Sequence, residues 1–264
     1  GVLVDLAVRA EAAGWDGVFL WDHVVGPTPP IADTWTALAA MAGATQRMLL
    51  GPTVTPLPRR RPWVVARQAS TVSRLSGGRL VLGVGLGSDE SGDFSRFGEE
   101  RDPVVRAAML DEAMDVVEAM WAGGPLDRTG PHYEVHLDAS TAEPHRIPVW
   151  VASSVRHPLV LRRAARHDGI FPIADRPLAP EQVAAVATSV RRAGVADAAG
   201  ATAGADRPFD VVVSGDASPA WDRPNPDGVD LTAIAEAGAT WWLESLIHLD
   251  PLDLSLHVVD AGPP

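Results

Sequence analysis

Seven short apolar runs, separated by segments of helical spacing, constrain the fold of this chain more than any other feature. The runs cover residues 17–21, 48–55, 80–84, 149–152, 169–172, 209–213 and 240–243. Each is apolar throughout instead of alternating, which is typical of parallel strands buried on both faces. Because strands alternate with helical patterns along the chain, the sequence predicts an α/β fold with helices covering a parallel sheet.

Seven strands in this rhythm predict a (β/α)8 barrel that lacks one strand. The missing strand would be the first, because the chain opens on a helical pattern that Gly14 ends. An open, doubly wound sheet is the structural alternative. A turn-rich stretch at 123–146 follows the longest helical pattern, at 102–122, and is predicted to be an insertion. Residues 1–264 are expected to form one domain.

Composition excludes several kinds of chemistry. The chain has neither Cys nor Lys, so thiolate nucleophiles, cysteine-ligated metals and lysine Schiff bases are excluded. A net charge of −12 argues against nucleic acid or an anionic membrane as a partner. The basic cluster Arg59-Arg60-Arg61 is expected to be a solvated loop. No apolar run approaches a membrane span and no signal peptide is visible, so we expect a cytoplasmic protein.

Polar residues gather where the predicted strands end, which is the face that carries the active site in barrel enzymes. They are Asp22 and His23 after the first strand, Thr53 and Thr55 on the second, Gly85, Gly87, Ser88 and Asp89 after the third, and Ser153, Ser154 and Arg156 after the fourth. This arrangement predicts an active site at the carboxyl end of the strands.

The first and third of these groups have structural explanations as well as functional ones. Asp22 and His23 could be a hydrogen-bonded pair without a catalytic role. The glycine run at 83–87 could be a tight turn. It resembles half of a dinucleotide-binding fingerprint, but a polar stretch follows it where that motif requires a helix.

The fourth group could bind a phosphate through hydroxyls, backbone N–H groups and the Arg156 guanidinium. Alternatively, Ser154 could only cap the helix that begins near Pro158. A metal-dependent barrel hydrolase using Asp22, His23 and Asp89 is a further functional alternative.

Segments along nearly the whole chain resemble the luciferase-like family of flavin- and deazaflavin-dependent monooxygenases and oxidoreductases. The resemblance is carried by AEAAGWDGVFLWDHV (10–24), LLGPTVTPLPRRRPWVVARQ (49–68), LSGGRLVLGVGLGSD (75–89), IPVWVASS (147–154) and AEAGATWWLES (235–245). It implies a (β/α)8 barrel with an insertion and an oxidoreductase that binds coenzyme F420 or FMN at the carboxyl end of the strands. A small organic substrate and a homodimer are expected. A non-catalytic flavin-binding barrel protein is the alternative.

The resemblance also implies roles for individual residues. His23, tuned by Asp22, would lie beside the cofactor ring and act in catalysis. The strand at Thr53-Val54 would contain a non-proline cis peptide that supports the ring. Further cofactor contacts are expected from Gly85, Leu86, Gly87 and Ser88 at the ring or side chain, and from Ser153, Ser154, Val155 and Arg156 at the phosphate. Some deazaflavin dehydrogenases carry a Glu in the glycine loop as a proton donor, and here Asp89 could take that role if the loop bends inward.

Overall fold

A computed structural model describes residues 1–26, 31–139, 146–153, 158–174, 176–198, 209–217, 228–246 and 252–264. The chain forms two compact units. The first contains Gly1–Glu11 and Asp16–Pro148, and the second contains Ala12–Trp15 and Val149–Pro264. The expectation of a single domain, and that of a missing first strand, stay predictions.

The first unit alternates strands and helices and ends in a hairpin. Its elements are α1 (Val2–Ala13, whose last residues belong to the second unit), β1 (Gly17–Leu20), α2 (Thr34–Ala44), β2 (Leu49–Pro52), β3 (Thr55–Pro56), α3 (Pro62–Leu75), β4 (Leu82–Gly85), α4 (Pro103–Ala122), β5 (Leu126–Thr129) and β6 (Glu134–Leu137). Short 3₁₀ turns lie at Leu57–Arg59 and Ser95–Phe97.

The first four strands of this unit, β1 to β4, pair in parallel and in chain order. β1 pairs with β2, with Leu20 opposite Pro52, and β3 pairs with β4, with Pro56 opposite Gly85. A parallel bridge joins Leu50 to Leu80. Because neighbouring strands point the same way, the chain leaves β1, β2 and β4 at one edge of the sheet.

Two glycines let these strand backbones approach closely. A Cβ atom on Gly51 would lie 1.9 Å from the carbonyl oxygen of Val81, and one on Gly83 would lie 2.2 Å from that of Pro52. No other residue fits at either position, which gives the glycine spacing a structural role independent of any ligand.

The helices begin where the sequence provides caps. Asp33 accepts a hydrogen bond from Thr36 N at the start of α2, and Asp102 accepts one from Val104 N at the start of α4. Pro62 occupies the first turn of α3. Together with the strands, these helices enclose a core of large, fully buried side chains that includes Leu38, Met41, Leu50, Leu57, Leu82, Leu110 and Met120.

The predicted insertion forms an antiparallel hairpin of β5 and β6. Glu112 of α4 anchors its turn, because its two carboxylate oxygens accept hydrogen bonds from His132 N (3.1 Å) and Tyr133 N (3.0 Å). The sequence predicts only the second strand, since β5 is the polar segment LDRT. Residues 140–145 of the insertion lie outside the described residues.

The second unit contains β7 (Val149–Ser153), α5 (Pro158–Ala165), β8 (Gly169–Pro172), α6 (Pro180–Ala198), β9 (Asp210–Gly215), α7 (Leu231–Glu236), β10 (Trp241–Glu244) and α8 (Leu252–Ala261). Its four strands are parallel and each pairs with the next along the chain. Trp150 is fully buried in this unit, contacts Trp241, and donates from Nε1 to Asp210 Oδ2 at 3.0 Å.

All seven predicted strands are present among the described residues. The run at 48–55 differs from the prediction, because it is divided into β2 and β3 by an irregular step at Thr53-Val54. No helix in the described part of the chain is long and apolar enough to cross a membrane.

Candidate functional site

The candidate site is built on the adjacent ends of β1, β2 and β4. Thr53 N donates a hydrogen bond to the carbonyl oxygen of Leu20 at 2.8 Å, which ties the end of β2 to the end of β1. The Thr53-Val54 peptide bond that follows is cis, as the resemblance implied. Thr53 is buried and Val54 is half-buried, so this irregular backbone is packed into the end of the sheet.

His23 projects from the segment that follows β1. Its side chain is 41% exposed, and the edge of its ring faces Trp21 with the ring centroids 6.0 Å apart. Nδ1 lies 2.5 Å from Oδ2 of Asp93, a residue in the long loop after β4. The partner of the histidine is therefore Asp93, and the prediction that Asp22 tunes His23 is wrong.

Asp93 is fixed on both of its oxygens. While Oδ2 contacts His23, Oδ1 accepts hydrogen bonds from Val24 N (2.7 Å) and Val25 N (2.9 Å). Burial raises the pKa of Asp93, but the hydrogen bonds from His23, Val25 and Val24 outweigh it and hold the pKa below its usual value. Asp93 is therefore an anion at neutral pH although only 2% of it is exposed.

Asp22 pairs with two arginines. Its Oδ1 binds the Arg60 guanidinium and lies 3.9 Å from Nη2 of Arg59, which donates to the Asp22 carbonyl oxygen at 2.5 Å. Burial lowers the pKa of Arg59, and the nearby Asp22 and Asp93 carboxylates oppose that shift. The expectation of a solvated basic loop is wrong for Arg59 and Arg60, whose side chains are only 6% and 21% exposed.

The glycine loop after β4 is held from two sides. Gly87 has φ +74°, and a Cβ atom there would lie 2.7 Å from Cβ of Pro56 and 2.9 Å from the ring of Phe94. Arg106 of α4 donates to the carbonyl oxygens of Leu86 (3.4 Å) and Gly87 (3.2 Å) and lies over the Phe94 ring. These contacts fix the loop between two strand ends and a helix.

Asp89, the residue considered as a proton donor, is bonded to its own loop. Its Oδ1 accepts hydrogen bonds from Phe94 N (2.8 Å) and Ser95 N (2.9 Å), which stabilise the turn that carries Asp93. The bonds from Ser95 and Phe94 lower the pKa of Asp89, so its carboxyl group is ionised at neutral pH. An ionised carboxylate has no proton to give.

The predicted phosphate-binding segment is described only at its start. Ser153 is the last residue of β7, while Ser154, Val155 and Arg156 lie outside the described residues. Their role stays a prediction. Within the described ranges, no three His, Asp or Glu side chains are grouped as metal ligands, and the three residues suggested for a metal have the protein partners given above.

Sequence reasoning missed Asp93, Arg59, Arg60 and Arg106. Asp93 is one of five acidic residues in the polar stretch SDESGDFSRFGEER, and charge alone does not distinguish it. The stretch contains two large apolar residues, of which Phe94 is completely buried and Phe97 is 55% exposed, so the sequence alone does not single out Phe94. A buried neighbour marks the point at which the loop folds back onto the protein.

The profile of the luciferase-like monooxygenase family matches residues 2–223. The chain belongs to this family. Among curated members, it is 36% identical to an F420-dependent glucose-6-phosphate dehydrogenase of Kribbella flavida over 171 residues, covering 62% of this chain and 50% of that protein. It is 38% identical over 179 residues to an enzyme of the same name from Intrasporangium calvum, covering 62% and 51%. The chain thus spans about half the length of these luciferase-like relatives.

Solved structures of luciferase-like enzymes share the fold of the chain. An F420-dependent secondary alcohol dehydrogenase in complex with an F420–acetone adduct superposes with a TM-score of 0.77 at 18% identity, covering 99% of this chain and 93% of that one. The F420-dependent tetrahydromethanopterin reductase of Methanopyrus kandleri gives 0.71 at 17% identity, covering 98% and 94%. These similarities confirm the predicted fold class, the (β/α)8 barrel fold of luciferase-like enzymes.

Proposed function

We propose that this luciferase-like protein is an oxidoreductase that binds coenzyme F420 at the ends of β1, β2 and β4 and acts on a small organic substrate. The observation that carries the proposal is the half-exposed His23 at the end of β1, held by the buried carboxylate of Asp93. The F420-dependent names of the relatives favour the deazaflavin over FMN. Oxidoreductase and monooxygenase activities both occur among the names in the comparison.

The residues present fit a flat, largely apolar ring. The cis peptide at Thr53-Val54 and the glycine loop lie beside the segment that carries His23, and Val54, Leu86 and Gly87 are each partly exposed there. Thr55 Oγ1 and Asp22 Oδ2 are buried without hydrogen-bond partners in the part of the chain that the structure describes. Buried polar atoms without partners are uncommon in native structures, and a bound polar group is one explanation for them.

When bound, F420 or FMN supplies a carrier for two electrons. The protein's own contribution is orientation, exclusion of water and movement of a proton. Val54 and the loop at 85–88 would support the ring, and Ser153, Ser154, Val155 and Arg156 would hold the phosphate. His23 would gain or lose a proton at Nε2, because its Nδ1 is bonded to Asp93.

The proposal is tested first by titrating the purified protein with F420 and, separately, with FMN, and following the visible absorbance of each. We expect saturable binding of F420 and weaker binding of FMN. Preference for FMN would correct the cofactor, and failure of both to bind would overturn the proposal in favour of a protein without this chemistry.

His23→Gln is then compared with the matched control His136→Gln, a histidine on the hairpin that also contacts an aspartate. Turnover is followed with reduced and oxidised F420 against a panel of alcohols, aldehydes and sugar phosphates. Loss of a proton-transfer group lowers turnover about 100- to 10,000-fold. We expect that loss for His23→Gln with cofactor binding retained, and none for His136→Gln. Equal turnover in the two variants would remove His23 from the mechanism.

The homodimer and the cytoplasmic location stay predictions. The metal-dependent hydrolase loses its support, because Asp22 binds arginines, His23 binds Asp93, and Asp89 accepts backbone N–H groups of its own loop.

A further inference from the structure

We propose that Asp93 is the positioning residue of His23: it fixes the proton of the neutral imidazole on Nδ1 and leaves Nε2 as the nitrogen that faces the ligand side of the site. The inference deepens the function proposed above and rests on it only for the use of Nε2. The tautomer itself follows from this chain alone.

The first step is the charge of Asp93. Oδ1 accepts hydrogen bonds from the N–H groups of Val24 and Val25, and Oδ2 lies 2.5 Å from Nδ1 of His23. These contacts hold the pKa of the Asp93 carboxyl group below its usual value, so it is ionised. An ionised carboxylate has no proton to donate, so the atom that faces Oδ2 must supply one. Nδ1 of His23 therefore carries hydrogen whether the ring is neutral or charged. In the neutral ring, Nε2 is left with a lone pair.

The second step is the location of the two ring nitrogens. The Asp93 side chain is 2% exposed and contacts Nδ1, whereas the His23 side chain is 41% exposed. Because Nδ1 contacts the buried carboxylate, the exposed side of the ring is the one that carries Nε2. Nε2 is therefore the proton acceptor on the exposed side of the ring, and the contact of Nδ1 with Asp93 restricts the orientation of the ring.

The third step is the anchoring of Asp93 itself. The turn on which it lies is closed by Asp89, whose side chain accepts from Phe94 N and Ser95 N. The next residue, Phe94, is completely buried and packs against Arg106 of α4. Asp93 thus joins the loop after β4 to the segment after β1. Its bonding partner Val24 lies 69 positions earlier in the chain.

Asp93→Asn provides a sharp test, because its expected effect is specific. The asparagine Oδ1 can still accept from Val24 N and Val25 N, so the loop connection is kept. Its NH₂ group then faces Nδ1 of His23 and can only donate, which favours the tautomer with the proton on Nε2. The substitution therefore changes the tautomer while retaining the backbone contacts.

The measurement is a long-range ¹H–¹⁵N correlation spectrum of histidine-labelled protein, recorded at increasing pH until the two ring nitrogens show the pattern of a neutral imidazole. His23→Gln identifies the His23 signals among the eight histidines. We expect the Nδ1–H tautomer in the wild type and the Nε2–H tautomer in Asp93→Asn. The matched control is Asp127→Asn, which removes the carboxylate of the exposed His136–Asp127 contact and should leave the His23 signals unchanged.

A wild-type spectrum that shows the proton on Nε2 would overturn the inference. This measurement does not depend on whether any variant folds. An unchanged tautomer in a folded Asp93→Asn variant would overturn it as well. F420 titration separates this result from the proposed function: a protein that binds no F420 but shows the expected tautomers retains the positioning role and loses the function. In the loaded enzyme, Asp93→Asn should lower turnover about 100-fold by presenting the wrong nitrogen, with F420 affinity changed less than threefold.

Discussion

Two histidine–aspartate contacts in the described part of the chain have equal length and opposite surroundings. Nδ1 of His23 lies 2.5 Å from Oδ2 of Asp93, and Nδ1 of His136 lies 2.5 Å from Oδ1 of Asp127. The Asp93 side chain is 2% exposed, whereas that of Asp127 is 87% exposed. Interatomic distance therefore does not separate a candidate functional pair from a surface contact, whereas burial of the carboxylate does.

The neighbours of the two pairs differ in the same way. Asp93 is held by two backbone N–H groups and lies in one cluster with the buried Asp22–Arg60 pair. Water competes for the hydrogen bonds of the exposed His136–Asp127 pair on the hairpin. In the nearby Arg128–Asp115 pair, each side chain is about one-third exposed. A buried charge depends on its partner, while an exposed one can return to water.

The largest expected effect that separates the two regions is on stability. Asp22→Asn removes the counter-charge of the Arg59 guanidinium, which is 6% exposed, and of the Arg60 guanidinium, which is 21% exposed, and breaking a buried pair costs about 3–5 kcal/mol. The matched change Asp115→Asn removes a half-exposed partner and should cost about 0–1 kcal/mol. The free energies of unfolding are compared in urea. Equal losses in the two variants would contradict the contrast between the regions.

A second prediction concerns the turn of the hairpin, where Tyr133 is buried beside Glu112. Burial, followed by the charge of Glu112, raises the pKa of Tyr133 to about 12. Because the folded-state pKa lies above the unfolded value of about 10, this stabilisation is complete below about pH 10 and is lost as the pH rises towards 12. Tyr133 is the single tyrosine of the chain, so tyrosinate absorbance reports on it directly.

In Glu112→Gln, we expect the tyrosinate inflection to move to lower pH while staying above that of the unfolded chain, since burial remains. The free energy of unfolding should fall by about 1–3 kcal/mol, because a charged acceptor of two backbone N–H groups is replaced. Glu118→Gln, an exposed change on the same helix, is the control. An inflection near 10 in the folded wild type would show that the inner face of the hairpin is open to water.

The smallest expected effect is at the exposed pair itself. Hydrogen bonds to Glu134 and Asp127 raise the pKa of His136. Asp127→Asn should therefore lower that pKa, as followed by NMR titration, with no measurable change in the free energy of unfolding, because both side chains are exposed to water. A measurable loss of stability would mean that the hairpin pair is structural and that the contrast with Asp93 is one of degree.

The fold and part of the site could be predicted from the sequence. Uniform apolar runs locate the strands, and a polar pair directly after the first run identifies His23 as a residue of the active-site face. Strand periodicity acts over a few residues, so local pattern is sufficient for these features. The cis peptide at Thr53-Val54 was expected from family resemblance, because nothing in the local pattern requires it.

The partners of the site residues could not be predicted in this way. Arg60 meets Asp22 from 38 positions away, and Asp93 meets His23 from 70 positions away. Such pairs form only when the strand ends are brought together, so the local sequence shows a basic cluster and an acidic stretch with no indication of their partners. For this reason the sequence predicted that Arg59 and Arg60 lie in a solvated loop and that Asp22 is the partner of His23.

The fixed charges around His23 cancel. Asp22 and Asp93 contribute two negative charges, and Arg59 and Arg60 contribute two positive ones. The net charge of these four groups is therefore zero, and a proton placed on His23 would be the one unbalanced charge among the five side chains. An anion that binds beside the ring and draws a proton onto it would do so with measurable uptake from the buffer. Its heat of binding would then vary with the ionisation enthalpy of the buffer, while that of an uncharged molecule would not.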